Sequence, residues 1–219
     1  MDLKIGLTHP GVSTKAEWAR SLKQRGNLLF DQSFQFFLEN TRYPYWPQNK
    51  LPVFPIQKSG ETETCQPFVD NVINLIAKDE GYEIKVDGGF HANSTALQSK
   101  QRIESAYETV SFSRRKPDVV IYNGNLGGAC AISILGDVKG RRSDTADFPD
   151  AEIGHILDMS KVLLDEHQFS RTLLYSFLTD GYRFQFFKCE RGSNSFTFQS
   201  SSVFVGLDGW QVVSGGYFH

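Results

Sequence analysis

Two apolar runs separated by a short Gly/Asn-rich stretch constrain this chain most: Pro117–Tyr122 (PDVVIY), then Asn123–Gly128, then Cys130–Lys139 (CAISILGDVK). Runs rich in Val and Ile on either side of a turn predict a β-hairpin. Side chains alternate along a strand, so Asp137 and Lys139 share a face. The hairpin can bring Asp118, at the start of the first strand, alongside them. Two carboxylates and an ammonium then converge at one edge of a sheet.

The rest of the chain supplies helices to cover that sheet. Residues 12–40 read as an amphipathic helix opened by a Thr14–Glu17 capping box, with Gly26 weak enough to divide it into two. Residues 43–58 hold four prolines and read as an extended connector. Phe68, Val72, Leu75 and Ile76 repeat at helical spacing and predict a helix over 62–78, with Pro67 in its first turn. A strand at Tyr82–Val86 and a turn at Asp87–Gly89 follow, while 91–116 carries no clear pattern. After the hairpin come a helix over Asp150–Gln168, strands at Arg171–Leu178 and Tyr182–Lys188 around Thr179–Gly181, and two short strands at 195–199 and 203–205. The Phe-rich stretches 34–37 and 184–187 are expected in the core. The order from residue 61 is α-β-β-β-α-β-β, which predicts an α/β fold with a mixed central sheet flanked by helices. Residues 1–58 read as an N-terminal helical arm and connector, and 59–219 as the main domain.

The hairpin carries the chemistry. Two carboxylates on a small patch repel unless a hard cation neutralises them, and oxygen ligands suit Mg²⁺ or Mn²⁺. Such a metal polarises a phosphodiester and lowers the pKa of a bound water. Lys139 would orient that water or offset charge on the phosphate oxygens. The triplet alone is weak, since Asp2-Leu-Lys4 and Glu83-Ile-Lys85 repeat it elsewhere in the chain. Only Asp137-Val-Lys139 follows a strand beginning Pro-Asp, after a helix with an acidic start.

Pro117-Asp118 and Asp137-Val138-Lys139 in that setting resemble the PD-(D/E)xK nuclease superfamily, whose restriction-endonuclease-like core has the order α-β-β-β-α-β. The resemblance implies that Asp118 and Asp137 bind Mg²⁺ (or Mn²⁺), with the Val138 carbonyl as a third ligand, and that Lys139 is the catalytic lysine. It also implies an acid on the first helix. Carrying the helix phase back at about 100° per residue puts Glu61 within roughly 20° of Phe68 and Val72, and Glu63 on the opposite side. Glu61 is therefore preferred. Arg171–Lys188, after the helix containing Gly154, resembles the nuclease-like domains of Crinkler-type effectors, modular proteins of oomycetes and fungi in which a kinase-like domain often follows. That likeness implies a DNA substrate rather than RNA, and action in the nucleus. Where related nucleases carry a Gln on the second helix and a Tyr four residues on, this chain has His155 and Met159.

Charge patterning fits the same hairpin. The chain has 23 Lys+Arg against 25 Asp+Glu, a net charge of -2, which excludes a basic coat over the whole surface. Between Lys100 and Arg142, however, eight basic residues face four acids. Arg114, Arg115, Lys116, Arg141 and Arg142 flank the hairpin, where a phosphate backbone would lie. The three scattered cysteines read as free thiols in a reducing compartment, without zinc-ligand spacing. Neither a signal peptide, a membrane span nor a Gly-Lys-Ser/Thr phosphate loop is read. The alternative to a nuclease is a catalytically inactive module of the same fold, binding DNA or a protein partner or regulating an adjacent kinase-like domain.

Overall fold

A computed structural model describes residues 14–42, 53–79, 86–88, 117–122, 132–142, 147–167, 170–193 and 195–216. The first helix, α1 (Lys15–Gln24), starts on the expected capping box: Glu17 N–H donates to Thr14 Oγ1 at 3.2 Å, and Thr14 N–H to Glu17 Oε2 at 3.0 Å. Gly26, at φ 72°, ends the turn after it in a left-handed conformation that favours glycine. The chain then forms a short strand, β1 (Leu28–Phe30), and restarts as α2 (Gln32–Asn40), capped by Asp31. The division at Gly26 thus yields two helices, with a strand between them that the helical periodicity concealed.

A π-wound turn at Glu61–Cys65 leads into α3 (Gln66–Asp79). Pro67 lacks the N–H that would bond back to Glu63, and in the turn before it Cys65 N–H reaches Gly60 O at 3.1 Å, five residues back. Next come β2 (Val86–Gly88), β3 (Val119–Tyr122) and β4 (Ile132–Val138). Helix α4 (Asp150–Val162), extended by a π-wound turn at Leu163–His167, leads to β5 (Leu173–Thr179), β6 (Arg183–Arg191), β7 (Phe196–Val205) and α5 (Leu207–Gly216). The element order from residue 61 is as expected through β6.

The chain departs from expectation at two places and adds one helix. Asp87 and Gly88, expected in a turn, lie in β2 and pair with β3. The two short strands expected at 195–199 and 203–205 are one strand, β7 (Phe196–Val205), because it pairs with β6 along nearly its whole length. Residues 207–216 form a helix. The expected strand residues 82–85 and the unassigned 91–116 lie outside the described residues.

The seven strands form one mixed sheet in the order β1-β7-β6-β5-β4-β3-β2. Strands β4 and β5 run parallel, joined across the sheet by α4; β3 pairs antiparallel with β4, and β1 parallel with β7. The N-terminal segment therefore contributes an outer strand to the sheet. One apolar layer holds Trp18, Leu22, Ile153, Ile156, Leu157, Leu174 and Phe187, uniting α1 and α4 with one sheet face. The other holds Phe34, Leu38, Val69, Val72, Phe177, Phe184, Phe186 and Trp210, from α2, α3, α5 and the opposite face. Phe184, Phe186 and Phe187 are core residues as expected. In the N-terminal stretch only Phe34 is; Phe36 and Phe37 point outward. Cys65 and Cys189 are free buried thiols. Among the described residues no helix is long and apolar enough to cross a membrane.

Candidate active site

The hairpin register builds the centre of the site. Val119 pairs with Gly136, and Asp118 N–H donates to Gly136 O at 3.1 Å. Continued one step, that antiparallel register puts Asp118 opposite Asp137. Like charges directly opposite in a sheet are unfavourable, yet both residues are buried, at 5% and 1% exposure. Asp118 Oδ2 accepts the Val138 N–H at 2.8 Å. Burial, followed by the charge of Asp118, pushes the Asp137 carboxyl well above the usual carboxylate range, against the pull of Lys139.

Lys139 follows β4 directly, its N–H donating to Thr179 O at 2.8 Å. Its Nζ stands 3.0 Å from Asp137 Oδ2 and 3.9 Å from Glu61 Oε2. Burial alone would lower its pKa; the carboxylates of Asp137, Asp118 and Glu61 outweigh that and raise it. Lys139 is therefore an ammonium at neutral pH.

Glu61 arrives from a distant part of the sequence through backbone pairing. Lys58 N–H donates to Arg141 O at 2.7 Å, and Arg141 N–H to Ser59 O at 3.0 Å. Gly140 lies between them, so close that a Cβ there would stand 3.2 Å from Ser59 O and 3.4 Å from Glu61 N. This lays Gly60 and Glu61 against the end of β4. Glu63 instead folds back over Gly60.

The basic residues divide. Arg141 is not a surface contact for a ligand: it is buried, donates from Nη1 to Pro55 O, and its guanidinium carbon lies 4.0 Å from the centre of the Tyr182 ring. It fastens the 55–59 segment to the sheet. Arg142 is exposed, with Nη2 3.2 Å from Glu152 Oε1. Arg114, Arg115 and Lys116 lie outside the described residues.

Three further residues, not marked by any sequence motif, join the neighbourhood. Glu152, in the first turn of α4, is half-buried; burial raises its pKa against the opposing charges of Arg142, Lys139 and Arg183. Its place in a helix start was the only signal for it. Gln66, buried, donates from Nε2 to the Asp118 backbone carbonyl at 3.3 Å and to Asp70 Oδ1 at 2.8 Å, tying α3 to the start of β3. Lys15 of α1 donates to His155 Nδ1. Nothing in the sequence pointed to it, because the contact spans 140 residues.

Among the described residues no three His, Cys, Asp or Glu side chains converge as a ready metal cage. The donor set at Asp118 and Asp137 is a pair of adjacent hard oxygen ligands whose mutual repulsion a divalent cation would relieve. It suits a cation such as Mg²⁺, which keeps several ligands as water or substrate oxygen. No family model matches the chain, and neither does any curated protein or solved structure.

Proposed function

We propose that this chain is a Mg²⁺-dependent phosphodiesterase acting on nucleic acid, with a restriction-endonuclease-like core of the PD-(D/E)xK type. The observation that carries the reading is the adjacency of two buried carboxylates, Asp118 and Asp137, with an ammonium 3.0 Å from one of them. A structural ion pair has no need of the second carboxylate; a phosphoryl-transfer site does. Asp118 and Asp137 would hold the cation, with the Val138 carbonyl as a further ligand. Bound there, the cation would polarise the phosphodiester and acidify a water.

The chain's own residues do the rest. Lys139, kept charged by its carboxylate neighbours, is not a proton acceptor. It pairs with Asp137 at rest and donates hydrogen bonds to the attacking water or a phosphate oxygen during reaction. Glu61 gives that ammonium a second anchor on the solvent side. Arg142, the one exposed guanidinium among the described hairpin residues, contacts the phosphate backbone after leaving Glu152. The preference for DNA over RNA, the nuclear setting and a kinase-like neighbour in a longer chain rest on the Crinkler likeness alone.

One observation favours the rival, an inactive module of the same fold. Asp118 already accepts a backbone N–H, and Lys139 already bridges Asp137 towards Glu61, so the group is internally satisfied in part. Incubation with linear DNA, circular DNA and RNA, in Mg²⁺ and in EDTA, separates the two readings. The proposal expects Mg²⁺-dependent cleavage that EDTA stops. Binding to the same substrates without cleavage, unaffected by Asp118→Ala, would establish the inactive module.

A further inference from the structure

Helix α1 crosses α4 at Gly154, where backbone meets backbone. A Cβ on that residue would stand 2.8 Å from the carbonyl carbon of Lys15, inside the closest approach real side chains make. Glycine at 154 thus lets the first turn of α1 lie on α4 beside His155, and Lys15 Nζ donates to His155 Nδ1. A ring nitrogen that accepts an ammonium hydrogen carries no proton itself, so the imidazole proton sits on Nε2. Burial, then the charges of Lys15 and Lys139, hold the ring neutral down to about pH 4, with Asp118 and Asp158 opposing. Val120 and Leu135 lie in the layer with α1 and α4, so strand alternation turns Asp118 and Asp137 to that same side of the sheet. His155, half-buried, follows by one helical turn Glu152, which Arg142 reaches at 3.2 Å just past β4. It therefore stands on the carboxylate side of the sheet with a donor of fixed identity.

We propose that Lys15 is a positioning residue of the Asp118–Asp137–Lys139 site, fixing His155 as the Nε2–H tautomer so that His155 donates to a non-bridging phosphate oxygen of the substrate. The N-terminal helix then belongs to the working site rather than to an arm beside it. The substrate half of this inference rests on the phosphodiesterase reading; the tautomer half rests on the Lys15–His155 pair alone.

The test uses the full chain labelled with ¹⁵N-histidine, the His155 ring signals being identified by their loss in His155→Ala. The wild type should show Nε2 protonated and Nδ1 bare at pH 7. Lys15→Met, an exposed change that leaves the fold intact, should mix the two tautomers, and Lys15→Arg should restore the first. A phosphorothioate oligonucleotide added in EDTA should shift the Nε2 signal of the wild type. In cleavage, Lys15→Met should be about tenfold slower, the worth of one hydrogen bond to a charged group. Adding it to His155→Ala should cost nothing more. A wild-type ring protonated at Nδ1, an unchanged tautomer in Lys15→Met, or multiplying rate losses in the double variant would overturn the proposal. If the wild type cleaves no nucleic acid, the ring signals still decide: a shift with the oligonucleotide sustains the phosphate contact, and its absence refutes it.

Discussion

The Nζ of Lys139 stands 3.0 Å from Asp137 Oδ2, and on its other side 3.9 Å from Glu61 Oε2. One ammonium thus faces the buried carboxylate pair and links it to the start of the helical segment before α3. Lys139→Met should lower cleavage by about 10²–10³-fold, the usual effect of removing a donor aimed at developing charge. It should also destabilise the fold by roughly 3 kcal/mol, because two buried carboxylates lose their nearest cation. Mg²⁺ should then raise the melting temperature of Lys139→Met more than that of the wild type. Equal shifts, read by thermal unfolding with and without Mg²⁺, would show that the carboxylates do not hold the cation.

Asp137 gives a prediction in pH. Its carboxyl is raised in the folded chain, chiefly by burial and then by Asp118. Above an ordinary carboxylate pKa of about 4, the folded state keeps a proton that the unfolded chain has released. Stability from this group is therefore complete below that pH and declines as pH rises through the raised value. Asp137→Asn removes the titration. Without Mg²⁺, the melting temperature of the variant minus that of the wild type should increase from pH 4 towards pH 8. A constant difference would contradict a carboxyl raised by burial and by Asp118.

Arg141 and Arg142 are neighbours with opposite fates. Arg141→Ala should cost roughly 2–3 kcal/mol, because the Pro55 carbonyl loses its charged donor and Tyr182 its cation. Arg142→Ala should leave the melting temperature nearly unchanged, since an exposed ion pair contributes little. In DNA binding measured against salt, Arg142→Ala should flatten the dependence by about one charge, as expected for a phosphate contact. A melting temperature unmoved by Arg141→Ala would contradict the anchoring role given to it.

The strands of the hairpin were legible because β-branched runs and a Gly/Asn turn have strong local signals, and with them the approach of Asp118 to Asp137 and Lys139. Helix phase preferred Glu61 over Glu63, and Glu61 does approach Lys139, but by another route: residues 61–65 are π-wound, and the pairing of Lys58 and Ser59 with Arg141 brings Glu61 there. Arg141 misled because a basic pair on a loop looks the same whether its guanidinium meets solvent or a backbone carbonyl. Strand β1 was hidden by its three residues and by a partner, β7, far along the chain. Lys15 was invisible for the same reason: only the packing of α1 across Gly154 gives it a place near the site.

That crossing makes Gly154→Ala informative. Its methyl group would meet the Lys15 backbone, which cannot swing away as a side chain can. The substitution should destabilise the fold by about 2 kcal/mol, as overpacking does, even though alanine is the better helix former. A stabilised variant in thermal unfolding would mean that α1 is not seated as described.

Whether Asp118, Asp137 and Lys139 cleave phosphodiesters is decided by the initial rate on one linear DNA in Mg²⁺, for the wild type and Asp137→Ala at equal concentration. Circular dichroism should confirm that both are folded. The wild type should cut, and Asp137→Ala should be at least about 10³-fold slower, as for loss of a group central to transition-state stabilisation. Equal rates would contradict the assignment of the Asp118–Asp137–Lys139 group as the site of phosphodiester cleavage.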